Sequence, residues 1–431
     1  LYYPATSKPW FIHQPQPVSQ QKAIVIGGGL AGCTTAYALS LRGWQVTLVE
    51  RHQTVAQQAS GNPVGVLYSP LSPHPSPLND FYLNAYRYSQ RYLKQHFSGQ
   101  PFWQHCGVLQ VATQVQQQQR HRAINQVFPD LAQLLNGQQA SQVSGIELNQ
   151  PGLFYPQGGW LQPQLLCQQL VANNRQINLL SAHQALYLQA TRQQKWRLFG
   201  NHQQQLKLIA SAPLVVIANS QDATQLTQTQ HLPLQAIGGQ VTLLPATPVS
   251  KKLNSVICFN HYITPAINQQ HCIGATFNLK QTDCQLSPLD QQKNIAALAR
   301  NMPTLAQALA IDPPIAIPLT GKAAVRCSTP DYLPIIGPVP DYGYFCQAYQ
   351  GLGKGQLKRL YPAGRYYPGL YVNVGHGSKG IISTPLAAEL ITAMACQTTL
   401  PMTTELAQAV SPARFIIRDL IRNKLKTNPS S

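Results

Sequence analysis

The sequence predicts an α/β protein in which a parallel-sheet domain is interrupted by a second, α+β domain built on an antiparallel sheet. Three observations carry this. Ala23-Ile24-Val25-Ile26, the run Leu30 to Arg42 and the run Gln45 to Glu50 read as strand, helix and strand around a glycine-rich turn. Leu214 to Ala218 and Leu370 to Val374 are short, wholly apolar runs of the kind buried inside parallel sheets. Between them, residues 235–320 alternate strand-like runs (Gln240 to Leu244, Ser255 to Phe259, His271 to Thr276) with polar turns. The two ends therefore form one Rossmann-type domain, and the β-rich middle forms the other.

In chain order, residues 1–21 hold Pro4, Pro9, Pro15 and Pro17 without periodicity and read as an extended linker from a preceding domain. Residues 81–96 are patterned as a helix, Gly107 to Ala112 as a strand and Ile124 to Leu135 as a helix. A turn at Gly158 leads to a helix reaching Asn173, and a last core helix runs from Pro385, or from near Ile381, to Cys396. The expected division is residues 22–95, 151–230 and 321–400 in the nucleotide-binding domain and 96–150 and 231–320 in a substrate domain. Residues 401–431 form a basic helical tail.

At 431 residues the chain has room for two or three domains of about 150 residues each. Its 31 Lys and Arg against 13 Asp and Glu give a net charge of +18, an excess that favours a polyanionic partner and serves solubility equally well. The nine cysteines contain no C-x-x-C pair, which argues against a disulfide framework or a zinc site, implies no metal and suits a reducing cytoplasm. The glycines inside the apolar stretch from Ala23 to Leu41 argue against a signal peptide or a membrane span.

Gly27, Gly29 and Gly32 make G-x-G-x-x-G. Gly27 permits the tight turn, Gly29 lets backbone approach a diphosphate, and Gly32 lets the helix pack closely on the strand. Glu50, closing the next strand, is placed to accept from ribose hydroxyls and disfavours a ribose phosphate, hence NADP. Gly375-His376-Gly377-Ser378-Lys379-Gly380 lies between a strand and a helix. A second helix start there suits the pyrimidine end of a flavin, which turns anionic on reduction; otherwise it is an ordinary cap. Paired with the first motif it points to FAD. Arg326 sits in an apolar stretch where its guanidinium needs a partner, either a substrate carboxylate or an acid such as Asp331. Tyr262, opening a hairpin, offers a hydroxyl to the same carboxylate or is a packed aromatic. Arg414, Arg418, Arg422 and Lys426 recur every four residues on one helical face. That stripe suits a phosphate backbone, a membrane surface or plain solvent. Lys354, Lys358, Arg359 and Arg365 form a further basic loop.

Taken together, Lys22 to Glu50, the Ala59-Ser60-Gly61-Asn62 turn with Gly65, Ala324-Val325-Arg326 with Thr329 to Pro334, and Gly375 to Gly380 resemble the D-amino acid oxidase/glycine oxidase superfamily. Within it, Lys8 to Phe11, Ala59 to Pro70, Tyr262 to Ala275, Arg326 to Tyr342, Ser378 to Leu390 and Ser411 to Lys426 are similar to the FAD-dependent half of the bifunctional tRNA 5-methylaminomethyl-2-thiouridine biosynthesis family. The resemblance implies a glycine oxidase-like fold and non-covalent FAD. It implies cofactor contacts from Gly27, Gly29, Leu30, Ala31, Gly32, Glu50, Arg51, Ser60, Gly61, Asn62, Gly65, Ala218, Gly375, Gly377, Ser378, Lys379 and Gly380. Arg326, Tyr262 and Lys379 are the implied catalytic residues. It further implies a tRNA substrate, whose wobble 5-carboxymethylaminomethyl-(2-thio)uridine loses its carboxymethyl group as glyoxylate, and a methyltransferase domain preceding this chain. Two departures stand out: no Arg precedes Gly239-Gln240, and Ala218-Asn219-Ser220 replaces Ala-x-Gly. An oxidase of free glycine, sarcosine or D-amino acids shares the motifs, and a non-catalytic FAD-stabilised tRNA-binding module is the remaining reading.

Overall fold

The computed structural model describes residues 2–13, 20–279, 284–310, 319–356 and 358–425. They divide into two compact units: residues 1–57, 167–235 and 327–431 in unit 1, and residues 58–166 and 236–326 in unit 2.

Unit 1 is built on a six-stranded sheet in the order Ile177–Leu180, Gln45–Val49, Lys22–Ile26, Leu214–Ile217, Tyr366–Val374 and Ile335–Pro340. The first five strands are parallel and the last is antiparallel to its neighbour. The central strands are apolar at nearly every position because both faces are covered. Ile24, Ile26, Val215, Ile217, Leu370 and Val372 all lie in one core, at 2% exposure or less. The strand register has a consequence for function. Ile26 pairs with Val49 and with Ile217, and Ile217 pairs with Val372. The residues that follow these strands, Gly27, Glu50, Ala218 and Gly375, are thereby brought to the same carboxyl edge of the sheet, where open α/β sheets bind ligands.

A three-stranded meander (Gln184–Ala190, Trp196–His202, Gln205–Ala212), which the sequence pattern does not reveal, contributes Leu188, Trp196 and Leu198 to the same core. Unit 2 carries a nine-stranded sheet, with Gln235–Pro245, Gln270–Gly274, Tyr262–Ile263, Val256–Cys258, Val108–Val111 and Gly152–Tyr155 at its heart. The pairs within 235–279 are antiparallel, as expected, whereas Val256–Cys258 runs parallel to Val108–Val111.

Several boundaries differ from the sequence reading. The helix Pro77–Phe97 and residues 151–166 belong to unit 2, not to the nucleotide-binding unit. Leu83 packs there with Val64, Val108 and Tyr155, and Gly152–Tyr155 and Gly159–Leu161 pair with unit 2 strands. The expected linker is structured through residue 13. Tyr2–Pro4 pairs with Leu360–Pro362, and Trp10 is 7% exposed in a cluster with Phe345, Tyr349 and Tyr361. An indole of that area is worth ~2–3 kcal/mol when buried, enough to hold a proline-rich strand in place. Residues 14–19, with Pro15 and Pro17, lie outside the described residues. The expected tail is likewise integral to unit 1, since the Ala413–Ile421 helix buries Phe415, Ile416, Ile417 and Leu420. Where one helix was expected over Ile124 to Leu135, a helix Val115–Val127 is followed by the strand Gln133–Leu135. Pro129 sits between them and disfavours helical backbone at Phe128. The last core helix starts at Gly380, with Pro385 inside it.

Candidate active site

The turn after the first strand behaves as its glycines require. Gly27 has φ +106°, and a Cβ on it would stand 2.6 Å from the Ala218 carbonyl oxygen. A Cβ on Gly32 would stand 1.7 Å from the Gly27 oxygen, so helix and turn touch only because side chains are absent. The helix Leu30–Ser40 has Gly29 as its N-cap residue, with no side-chain cap hydrogen bond and no acid in its first turn. The positive end of its dipole faces the glycine turn and suits an anion. Glu50, 7% exposed, accepts from the Gly28 N–H at 2.7 Å through Oε2 and from the His52 N–H at 2.8 Å through Oε1. Each carboxylate oxygen retains a second lone pair. At Ser220, where a glycine was expected, the backbone keeps the left-handed conformation at φ +59°. The departure changes the side chain and not the turn.

The late glycine motif comes to the same place. A Cβ on Gly380 would stand 3.6 Å from Leu30 Cδ1, and Thr34 Oγ1 donates to the Thr384 carbonyl at 3.2 Å. The starts of the first and last core helices of unit 1 are therefore neighbours. Gly375 (φ +79°) and Gly377 (φ +56°) make the turn into the last helix, and the Gly377 N–H donates to the Cys327 carbonyl at 2.7 Å. No side chain caps that helix at Lys379, and burial lowers the Lys379 ammonium to about 8.

His376 locks this turn in place, a role that sequence reasoning missed. Thr35 Oγ1 donates to the Ala31 carbonyl at 2.6 Å, so it accepts from Asn373 Nδ2 at 3.0 Å. Asn373 Oδ1 is then the atom 2.8 Å from His376 Nε2, which must carry the proton. Burial lowers His376 to about 3, so the ring is neutral and its Nδ1 accepts from Ser383 Oγ at 2.8 Å. The chain Ala31–Thr35–Asn373–His376–Ser383 ties the two helix starts together.

Unit 2 presents Arg326 differently. The guanidinium Nη1 donates to the Thr276 carbonyl at 3.3 Å, and among the described residues no carboxylate is within ion-pair distance of it. Burial weakens its hold on its proton, and a partner anion would reverse that. Gly239 makes room for it: a Cβ there would stand 2.2 Å from Nη1. Tyr262, whose hydroxyl burial pushes up and the Arg326 charge opposes, donates to the Val64 carbonyl at 3.3 Å. It therefore lies against the Ser60–Gly65 segment, with Ser60 and Gly61 in a 3-10 turn and Gly65 opening a strand. Those expected cofactor contacts (Ser60, Gly61, Asn62, Gly65) belong to unit 2, whereas the other expected contacts belong to unit 1. Gly239 and Thr276 were missed because their contribution is space and a carbonyl, which leave no residue-type signal.

A family model described as FAD dependent oxidoreductase matches residues 22–394. The chain belongs to that family. Its sequence is 43% identical over 418 residues to the tRNA 5-methylaminomethyl-2-thiouridine biosynthesis bifunctional protein MnmC of Pseudomonas syringae pv. tomato, covering 96% of this chain and 62% of the relative. To the protein of that name from Pseudomonas aeruginosa it is 40% identical, covering 97% and 63%. The chain thus spans less than two thirds of the length of these relatives. In fold it is similar to glycine oxidase from Geobacillus kaustophilus (TM-score 0.71, 19% identity, 91% of this chain and 98% of that one). It is similar also to iminodiacetate oxidase from Chelativorans sp. BNC1 (TM-score 0.70, 19% identity, 90% and 98%).

The residues of this FAD-dependent oxidoreductase fit its cofactor. The positive end of the Leu30–Ser40 helix dipole behind the glycine turn suits the diphosphate, and Glu50 suits ribose hydroxyls. Asn219 Oδ1, buried with no hydrogen-bond partner among the described residues, belongs to a residue whose Cα would be 2.8 Å from a Gly27 Cβ; it offers one more acceptor beside the turn. Arg51 is instead paired with Asp222 at 2.5 Å. The expected basic stripe is also corrected. Arg414 is 11% exposed and grips Asp331 at 2.9 Å and 3.0 Å, so it is a structural residue and not a phosphate contact. Its pairing also removes Asp331 as the partner of Arg326. Arg418 bonds Asp419 at 3.2 Å, Arg422 lies just past the helix end, and Lys426 is outside the described residues. Among the described residues, no group of three or more His, Cys, Asp or Glu could hold a metal ion, and no helix is long and apolar enough to cross a membrane.

Proposed function

We propose that the chain oxidatively removes the carboxymethyl group of 5-carboxymethylaminomethyl-(2-thio)uridine at the tRNA wobble position, leaving the 5-aminomethyl nucleoside and glyoxylate. The carrying observation is Arg326, a guanidinium under cover with one carbonyl and no carboxylate among the described residues. Such a group awaits an anion, and the leaving arm is an N-substituted glycine that ends in one. The names of the relatives supply the tRNA context, and the charge of +18 suits it.

Bound FAD supplies a two-electron acceptor for the hydride of the arm's α-carbon. The amine loses its own proton as the C=N bond forms, and water then adds to the imine and splits it into amine and glyoxylate. The protein's task is orientation: Arg326 grips the carboxylate in two-pronged fashion, with Tyr262 as its neighbour. Lys379 Nζ, titrating near neutrality, and the open start of the last helix place positive charge at the end of the cradle. FAD is held without a covalent bond. His376 has both ring nitrogens engaged, and burial raises the Cys327 thiol to about 12. The free cysteines suit the cytoplasm, and the unmatched length of the relatives suits a preceding methyltransferase domain.

Anaerobic mixing with tRNA bearing the carboxymethylaminomethyl group should bleach the flavin and yield the aminomethyl nucleoside on digestion. Equal bleaching by sarcosine would make the protein a free-amine oxidase. An unbleached flavin with both would leave a tRNA-binding module without catalysis.

A further inference from the structure

The fold replaces the stripe position lost at Arg414 with cations from elsewhere. The C-terminal helix Ala413–Ile421 ends against the 3-10 turn Gln350–Lys354. The Asn423 side-chain amide donates to the Gly353 carbonyl at 2.9 Å. A Cβ on Gly353 would stand 2.3 Å from Asn423 Oδ1 and 2.7 Å from the Leu420 carbonyl oxygen, so the two segments meet where one has no side chain. Basic stretches far apart in sequence are thereby held edge to edge. One carries Lys354, Lys358 and Arg359, the other Arg422 and Lys424, and all five residues are exposed.

None of the five has a carboxylate within ion-pair distance among the described residues. The acids of the same two stretches are already taken, Asp341 by Arg365 and Asp419 by Arg418. Among the described residues, no carboxylate neutralises this edge from within.

We propose that the Gly353–Asn423 junction is a docking surface for the phosphate backbone of a structured RNA, an inference that rests on the tRNA reading. Five uncompensated cations on a fixed frame gain free energy by releasing counterions from phosphates. A bilayer is the poorer partner. The apolar side of the helix (Phe415, Ile416, Ile417, Leu420) is buried in the core beside Trp10, Phe345 and Tyr349 or against the parallel sheet, and the exposed Ile421 and Leu360 beside the cations are single side chains, not an apolar face that could insert between lipids. The surface has cations and no set of base-reading amides, so it grips any tRNA alike and leaves selection to the nucleoside site.

The test is the salt dependence of unmodified bulk tRNA binding to the FAD-loaded protein. It compares wild type, the variant K354Q/K358Q/R359Q/R422Q/K424Q, and the control R192Q/R197Q/K207Q, which removes exposed charge from the meander. The five-fold variant should flatten the slope of log affinity against log salt by ~3–5, about one for each phosphate no longer neutralised, and the control by less than ~1. An unchanged slope, or an equal flattening per charge in the control, would overturn the surface. So would loss of binding to phosphatidylserine vesicles with tRNA binding intact. If the five-fold variant fails to unfold cooperatively, K354Q/R359Q and R422Q/K424Q are measured separately, each expected to flatten the slope by ~2. A flavin that modified tRNA does not bleach refutes the catalytic reading, while a slope that still depends on the junction sustains the docking surface.

Discussion

The end of the Gly321–Ser328 strand and the start of the C-terminal helix each bring an arginine under cover, and they satisfy it in opposite ways. At Arg414 the protein supplies everything. Nε and Nη2 grip both oxygens of Asp331, Nη1 and Nη2 donate to the carbonyls of Val410, Ser411 and Leu333 at 2.8–3.1 Å, and the guanidinium lies 4.1 Å over the Phe415 ring. At Arg326 it supplies one carbonyl at 3.3 Å and a glycine that keeps the space clear. A buried charge is costly unless paired, so the first arrangement holds the fold together, and the second suits the proposed anion site. The sequence presents Arg326 as a residue in want of a carboxylate and Arg414 as part of a basic stripe; the carboxylate is found at Arg414 instead.

The sharpest way to break this comparison is to remove each arginine. Arg326→Ala should lower kcat/KM for the carboxymethylaminomethyl nucleoside by about 100-fold or more, the worth of a charge-assisted pair and the alignment it gives. Flavin content should stay unchanged, and thermal stability should hold or rise, because an unpaired buried charge has been deleted. Arg326→Lys should recover part of the loss. A fall in melting temperature with unchanged kinetics would make Arg326 structural, like Arg414.

How much of this was legible beforehand follows the range of the interactions. The strand–glycine–helix–strand unit, Glu50, the Leu214 to Ala218 and Leu370 to Val374 strands and the late glycine turn were readable because each is a local pattern with a fixed period or a conformation only glycine takes easily. Their convergence was not. The register that aligns Gly27, Ala218 and Gly375 at one edge joins residues hundreds of positions apart. The Arg414–Asp331 pair and the Gly353–Asn423 junction are contacts of the same long range, invisible to spacing rules. The stripe at i, i+4 and i+8 was a real periodicity, but a helical period does not say which side faces the core, and here Phe415 and Arg414 both turned inward. The meander over residues 184–212 escaped notice because its strands are half exposed and interrupted by register shifts.

Arg414→Ala gives the converse result. It removes the ion pair from Asp331, which keeps donors from Thr329 and Leu333, and takes one donor from each of three carbonyls, and should cost about 2 kcal/mol in stability. That is less than the ~3–5 of a fully buried pair, because Asp331 is 34% exposed. The kinetics of the free nucleoside should move far less than in Arg326→Ala, and the salt slope of tRNA binding should stay as in wild type. A salt slope flattened by ~1 would return Arg414 to the RNA surface and break the distinction between the two regions.

The smallest effect is the pH dependence of that cost. Burial by itself would raise the Asp331 carboxyl, but the hydrogen bonding and charge of Arg414, together with the hydrogen bonds of Thr329 and the Leu333 N–H, outweigh it and hold the group below its ordinary value of 3.8. A carboxyl depressed in the folded state contributes stability above its unfolded value and loses that contribution as pH falls through the folded one. Without Arg414 only the hydrogen bonds from Thr329 and the Leu333 N–H oppose burial, so the carboxyl rises and protonation costs the variant less than the wild type. The stability difference between wild type and Arg414→Ala should therefore be largest near neutrality and shrink as the pH drops below about 4. Arg365→Ala, which frees Asp341 at an exposed ion pair, should show a gap under about 0.5 kcal/mol at every pH. Denaturant titrations at several pH values decide it. A wild-type to Arg414→Ala gap that does not narrow in acid would mean that Arg414 acts through its backbone carbonyls and the Phe415 ring, and that Asp331 is not what sets it apart from Arg326.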